Sequence, residues 1–335
     1  MLNKYLLTPS EAMPDSRKRK LLALAAMSGL AVLTAGCAKP VPALRVGVIV
    51  FPGYELMFLA RELGLWDERK VRLIELLANT DTMRALASGQ LHAAALTLDE
   101  LLSARADGVD LRVLAVLDVS AGADVVLGRP QVTLNNLAGK RVGVEDSAMG
   151  AVMLSALLSA AGLNIGQIRK VPVTLDRTEE YYGRGLVDAI VTAEPWAARL
   201  EKRGARRLFD TTAIPGRIVD VLAVRGDMID TQGEHLRQLI AGHFEARRHF
   251  ILHPQDSAKR MAVRLQTPEE EVVASFKGLQ LPDGGDNRKM LAPGGSFERV
   301  SLELQQVMVT AGLLSKVADL RELSDDRFLP QSGSI

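Results

Sequence analysis

The chain has 335 residues, enough for two α/β lobes of ordinary domain size. With 47% hydrophobic and 24% charged residues it has the composition of a folded soluble protein, and a net charge of +1 gives no reason to expect nucleic acid or an anionic membrane surface as partner. The charge is uneven: Lys4, Arg17, Lys18, Arg19 and Lys20 against Glu11 and Asp15 leave residues 1–36 at +3, so the remainder is near −2 by difference.

Arg17-Lys18-Arg19-Lys20 precedes an uncharged run from Leu21 to Leu33, the order of a secretory signal peptide. That run is short of the roughly 20 residues a membrane-spanning helix needs. It ends in Leu33-Thr34-Ala35-Gly36-Cys37, which resembles the bacterial lipobox, where the cysteine is acylated and becomes the mature N-terminus. The alternative places Cys37 as a small apolar residue in a core helix. Cys37 is the only cysteine, so the fold has no intrachain disulfide and rests on its core. Residues 1–36 are therefore expected to be a lipoprotein signal peptide and 37–43 a tether, extended by Pro40 and Pro42. Met13 gives a more usual signal-peptide start than Met1.

From Leu44 the pattern alternates strand and helix. Strands are predicted over 44–50, 71–77, 92–96 and 111–117. Leu56, Leu59, Ala60 and Leu63 repeat at helical spacing, with Gly64 as the stop; Thr80 or Asp81 caps a helix through Ser88, and Thr97 caps another. Such alternation predicts βαβ units and a parallel sheet. The grammar restarts after Arg129-Pro130, with strands over 141–144, 168–173 and 187–191 and a small-residue helix over 150–161. Gly89-Gln90-Leu91-His92-Ala93-Ala94-Ala95 parallels Gly185-Leu186-Val187-Asp188-Ala189-Ile190-Val191, as two similar lobes would. After a strand over 218–224 come helices over 233–251, 254–265, 268–278 and 296–311, with a Gly/Pro-rich loop over 282–295. This tail is expected to pack back on the first lobe. Lobe I is then 44–125 plus 217–335, lobe II is 126–216, and the two crossings between them make a hinge.

The segments that carry a resemblance lie in order over 44–225: Gly53-Tyr54-Glu55 through Leu65-Trp66, Ala85-Leu86-Ala87-Ser88-Gly89-Gln90-Leu91-His92-Ala93-Ala94, Asp118-Val119-Ser120-Ala121-Gly122-Ala123-Asp124, Leu137-Ala138-Gly139-Lys140-Arg141-Val142-Gly143, and Val187-Asp188-Ala189 with Glu194-Pro195-Trp196. Together they resemble the nitrate/sulfonate/taurine-type solute-binding proteins of ABC importers, a group that includes thiamine-precursor binders. His92 stands where that pattern usually has Asp. The resemblance implies an α/β, two-lobed Venus-flytrap fold of the type II-like periplasmic class. It also implies a small-molecule ligand in a cleft and a membrane permease with its ATPase as partners, while the signal peptide and lipobox imply an extracytoplasmic, lipid-anchored location. A monomer is expected, with no cofactor, no metal and no catalysis.

Ligands of open α/β sheets sit beyond the carboxyl ends of the strands. The binding set expected there is Tyr54, Asp81, Thr97, Leu98, Ser120, Asp124, Ser147, Met149, Glu194, Trp196 and Asp220. Several of these have plainer readings: Asp81 and Thr97 as helix caps, Glu194 as a carboxylate at a helix N-terminus, and Trp196 as core rather than a ring facing the cleft. Asp118 and Asp124 also read as structural at the crossing, and Trp66 as packing. His235, His243, His249 and His253 are expected on solvated faces of the tail, in no metal-ligand arrangement.

The strand ends are rich in acids and Arg217 is the one nearby basic candidate, so the ligand is expected to carry a donor or cationic nitrogen rather than to be a bare anion. A zwitterion such as an aminosulfonate also fits. The rivals are an enzyme on the same fold, with pyrimidine or menaquinone-precursor chemistry, and a receptor sensor lobe. The chain has no cysteine outside the lipobox, no histidine beside a nucleophile at a strand end and no Gly-rich phosphate loop. It also has no second span or signalling domain.

Overall fold

The computed structural model describes residues 41–331; the signal peptide, Cys37 and most of the tether lie outside the described residues. Two mixed sheets carry the α/β alternation. The first contains β1 (Leu44–Val48), β2 (Val71–Glu75), β3 (Ala93–Thr97), β4 (Leu111–Ser120), β10 (Val219–Arg225) and the short β11 (Leu279–Gln280), in the order β11-β4-β10-β3-β1-β2. The second contains β5 (Val125–Gly128), β6 (Arg141–Val144), β7 (Arg169–Pro172), β8 (Ala189–Thr192) and β9 (Arg206–Asp210), in the order β7-β6-β8-β5-β9.

The expected all-parallel sheets are corrected. β10 lies antiparallel between β3 and β4, and β5 lies antiparallel between β8 and β9. Each is the strand the chain forms on arriving from the other sheet, so it enters against the local direction. Apart from the edge strand β11, both sheets therefore share one strand order, and the two parallel sequence segments lead into β3 and β8, which hold equivalent positions.

Helices α1 (Pro52–Glu62), α2 (Asn79–Ala87) and α3 (Leu98–Ala106) connect the first sheet. In the second, α4 (Ala148–Ala160), α5 (Thr178–Gly183) and α6 (Trp196–Lys202) do the same. The tail forms α7 (Ile229–Leu252), α8 (Pro254–Leu265), α9 (Glu269–Ser275), α10 (Gly284–Leu291) and α11 (Ser296–Thr310). As expected, it packs on the first sheet's layer: α7 and α8 on α1, α11 on α3, and α10 on β4. The strands β1, β3 and β10 are almost wholly buried, and Phe244 of α7 and Phe297 of α11 are among the largest fully buried side chains. Truncating either to Ala would cost about 3–5 kcal/mol. Trp66 packs against α7 at Gly242, as read from the sequence.

Three further expectations are corrected. The segment read as a Gly/Pro loop contains α10, started by a capping box between Asp283 and Asp286. The N-cap of α2 is Ala78, which puts Thr80 and Asp81 inside its first turn. His235 and His243 are buried on the packed face of α7, and only His249 and His253 reach solvent.

The chain leaves the first sheet between Ser120 and Val125 and returns between Asp210 and Val219. Ser120 Oγ and Thr211 Oγ1 lie 2.7 Å apart, Gly122 N–H donates to Thr211 Oγ1 at 2.7 Å, and Thr211 N–H donates to the Asp124 carbonyl at 3.2 Å. These bonds stitch the two crossings side by side. Gly278, with φ +86°, lets the tail come against the same place: a Cβ there would meet Ala123 N at 2.7 Å.

Candidate functional site: a buried carboxyl cluster between the sheets

The antiparallel entry of β10 creates the site. It sets Asp220, at the start of β10, beside Thr97 at the end of β3 and opposite Asp118 near the end of β4. Directly opposed residues have Cβ atoms about 5 Å apart, so two like charges here would repel strongly. Asp118 is fully buried, and its side-chain hydrogen-bond partner is the opposing Asp220 carboxyl, with no N–H or basic group reaching its oxygens. It fits only because the second residue of α1 is a glycine, since a Cβ on Gly53 would lie 1.9 Å from Asp118 Oδ2. Tyr54, in the same turn, donates its hydroxyl to Asp220 Oδ1 at 2.5 Å.

Acids from the neighbouring strand ends join this pair. Asp99 Oδ1 accepts the Thr97 hydroxyl and, at 2.8 Å, the Glu100 N–H, while its Oδ2 is unpartnered. Glu100 Oε2 accepts the Thr97 N–H at 3.2 Å and its Oε1 is unpartnered. Asp124, whose N–H donates to Ser120 Oγ at 3.1 Å, keeps Oδ2 unpartnered. From the second sheet, Glu145 Oε1 accepts the Thr80 N–H at 3.1 Å, a bond between the two sheets' layers, and its Oε2 is unpartnered.

Electrostatics follow from burial. Desolvation, first of all causes, raises the pKa of each of the six: Asp99, Glu100, Asp118, Asp124, Glu145 and Asp220. Asp124 is pushed up to about 6, and Asp220, facing Asp118, well above the ordinary range. Burial and then Asp220 also raise the Tyr54 hydroxyl, which keeps it a donor. Among the described residues no Lys, Arg or His forms a salt bridge with any of these carboxyls.

A cavity of 520 Å³ opens beside this cluster, between α2, α3 and the N-terminus of α4. Glu100 lines it from the cluster side, and Thr80, Asp146 and Ser147 line its polar edge. Met83, Leu86, Ala104, Val109, Ala148 and Leu313 supply apolar wall. Its volume falls within the usual range for small-molecule pockets.

Of the residues singled out from sequence, the structure brings Tyr54, Thr97, Asp124 and Asp220 to the cluster. Leu98 is buried at the start of α3 next to Asp99. Ser120 is occupied in stitching the crossings. Ser147 caps α4 by accepting the Gly150 N–H at 3.1 Å, at the cavity edge, and Met149 is buried behind it. Three sit elsewhere. Asp81 pairs with Arg84 at 3.4 Å on an exposed face, because it lies within the first turn of α2 rather than at its cap. Glu194 Oε2 accepts the Ala198 N–H at 3.1 Å, the capping role weighed for it. Trp196 belongs to the main apolar core.

The cluster also includes Asp99 and Glu145, strand-end acids outside the expected binding set, Glu100, which the sequence does not single out, and Asp118, which reads as structural. Leu98-Asp99-Glu100 has the pattern of ordinary helix-start acids, so burial alone distinguishes it. His92, at the position where Asp is usual, accepts the Arg45 N–H at 3.2 Å and lies outside the cluster. Arg217 lines a separate cavity of 370 Å³ against α4. Among the described residues, no group of three His, Cys, Asp or Glu side chains is arranged to hold a metal ion.

Comparison with known proteins gives a family and a fold. A model of the NMT1-like family matches residues 37–266. A search of curated sequences gives no match. Among solved structures, the alkanesulfonate-binding protein SsuA from Xanthomonas axonopodis pv. citri, bound to MOPS, matches with a TM-score of 0.72 at 19% identity, covering 86% of this chain and 99% of its own. The periplasmic aliphatic sulphonate-binding protein SsuA from Escherichia coli matches at 0.67 and 21% identity, covering 84% and 97%. The periplasmic nitrate-binding protein NrtA from Synechocystis PCC 6803 matches at 0.66 and 13%, covering 86% and 87%. At these identities the likeness is one of fold: the two-sheet α/β architecture is that of the periplasmic binding proteins.

Proposed function

The chain belongs to the NMT1-like family, and on that premise we propose that it is the extracytoplasmic solute-binding component of an ABC importer, closing its two lobes around a small polar organic molecule. The observation that carries this reading is the site between the sheets. A cluster of buried carboxyls with free oxygens, beside a cavity of 520 Å³, sits where two sheets of one strand order are joined by a pair of adjacent crossings. Three of the similar solved structures are alkanesulfonate-, sulphonate- and nitrate-binding proteins, two of them periplasmic by description, which agrees with an importer.

On this reading lobe I is 44–125 plus 217–335, lobe II is 126–216, and the stitched crossings are the hinge. The binding residues are Tyr54, Thr97, Asp99, Glu100, Asp118, Asp124, Glu145 and Asp220. They are carboxyls and hydroxyls bonded to one another, Tyr54 to Asp220 and Thr97 to Asp99, and the similar structures named above are binding proteins, which favours binding over catalysis. Cys37 carries the lipid anchor, and the partners are a permease and its ATPase.

Scattering with and without a solute identified by thermal shift tests the reading, because closure on ligand reduces the radius of gyration. Mass spectrometry of membrane-extracted protein tests the anchor, with an acylated N-terminus at Cys37 expected. Turnover of the bound solute, or binding without compaction, would refute the importer reading.

A further inference from the structure

The charge at the site is one-sided. Six acids face one another there, with Tyr54, Thr97 and Ser120 as their polar neighbours, and no basic side chain bonds to any of them. The groups acting on Asp118 and Asp220 from each packed element are Tyr54 of α1, the Thr97–Glu100 segment, Asp124 at the crossing, and Glu145 through Glu100. Carboxyls buried this close cannot all ionise, so the empty cluster holds protons of its own. Asp118 in particular has two buried oxygens that no N–H or basic group reaches, its one side-chain partner being the Asp220 carboxyl, so the pair shares a proton. Glu100 has one, and it borders a cavity whose other walls are largely apolar.

We propose that the solute is a small organic cation, a protonated amine or amidinium on a compact apolar body, that seats its charge on Glu100 and the carboxyls behind it and expels a proton from the cluster. This rests on the solute-binding reading of the same site and names its ligand class. The exchange balances: R–NH3⁺ enters, one carboxylic acid becomes carboxylate, and its proton goes to solvent. An anion in this place would leave every acid unpaired, and the one arginine at the cavity, Arg84, is exposed and paired with Asp81. A metal ion finds no converging trio of ligands among the described residues. A cation of organic size fits both the charge and the apolar wall.

The test is calorimetry on the purified mature protein, stripped of bound solute by partial unfolding and refolding. The panel comprises cyclohexylamine, benzamidine and putrescine, their uncharged counterparts cyclohexanol and benzamide, and ethanesulfonate, taurine and nitrate. At least one amine or amidine should bind at least tenfold more tightly than its uncharged counterpart. Its affinity should rise by up to about tenfold per pH unit between pH 5.5 and 7.5, as proton release requires. Heats in phosphate and Tris should differ by the buffers' ionisation enthalpies, giving about one proton released. Glu100→Gln should lower amine affinity at least tenfold, and Asp118→Asn should reduce the proton count; the second variant serves if the first does not fold. Failure of every amine to bind, or amine binding with no proton released, overturns the inference. Tight binding of nitrate or ethanesulfonate, undiminished in Glu100→Gln, would overturn it while leaving solute binding intact.

Discussion

Replacing Asp124 by Asn should make the empty protein more stable at neutral pH. The carboxyl is 4% exposed, and burial raises its pKa from an ordinary 3.8 to about 6. A raised pKa in the folded state means that folding favours the protonated form. The corresponding stability is full below about pH 4 and is lost as pH climbs through 6. A shift of about two units is worth roughly 3 kcal/mol, all of it lost by pH 8. The Asp124 carboxyl also hydrogen-bonds the Ser120 side chain, and Asn, neutral at every pH, can accept from that hydroxyl through its carbonyl, so the variant keeps that stability. Melting of solute-free protein at pH 4, 6 and 8 reads the effect. Wild type and variant should coincide at pH 4 and separate by roughly 5 °C at pH 8, with Asp124→Asn the higher. Parallel profiles, or a variant that melts lower at pH 8, would show that this carboxyl is not held protonated by burial.

His243 should act with the opposite sign. Burial pushes its pKa down to about 3 and neither ring nitrogen has a partner, so its contribution is present above pH 6.5 and is lost as pH falls toward 3. His243→Leu should therefore match wild type at pH 8 and exceed it by about 2 kcal/mol at pH 5, read by denaturant titration; equal stabilities at pH 5 would contradict this. Arg199 of α6 donates to the Leu265 and Gln266 carbonyls at 2.7 and 2.8 Å, bridging the second sheet's layer to the end of α8. Charged hydrogen bonds of this kind contribute about 1.5–3 kcal/mol, so Arg199→Ala should weaken solute affinity roughly tenfold and enlarge the radius of gyration in scattering. An unchanged radius would remove Arg199 from the closed state's supports.

Local patterns made most of the elements legible. The helix over 254–265 is legible to the residue because Pro254 opens it and its apolar positions keep helical spacing. β5 and β9 are not legible in the sequence because Val125–Gly128 and Arg206–Asp210 are short and become strands only by pairing with each other and with β8. The direction of β10 was equally hidden, since a seven-residue alternation says nothing about which neighbours it joins. The same limit applied to the site. Asp220 and Tyr54 could be found as residues at element ends, but the juxtaposition of Asp220 with Asp118 depends on β10 running against β4. Glu100 looked like a helix-start acid and is one; its burial comes from the packing of other elements over it.

The reversed strands also fix an order of events in making the molecule. Each sheet includes, between parallel strands, one that the chain lays down only after coming from the other sheet. β3 and β4 of the first sheet therefore have exposed edges until β10 arrives, and β10 is made after the entire second sheet. Contacts so distant in sequence close slowly, because the loop entropy must be overcome before the pairing rewards it. The first sheet cannot be completed by a growing or partly threaded chain, so such a chain stays unfinished until residues 219–225 are free to pair.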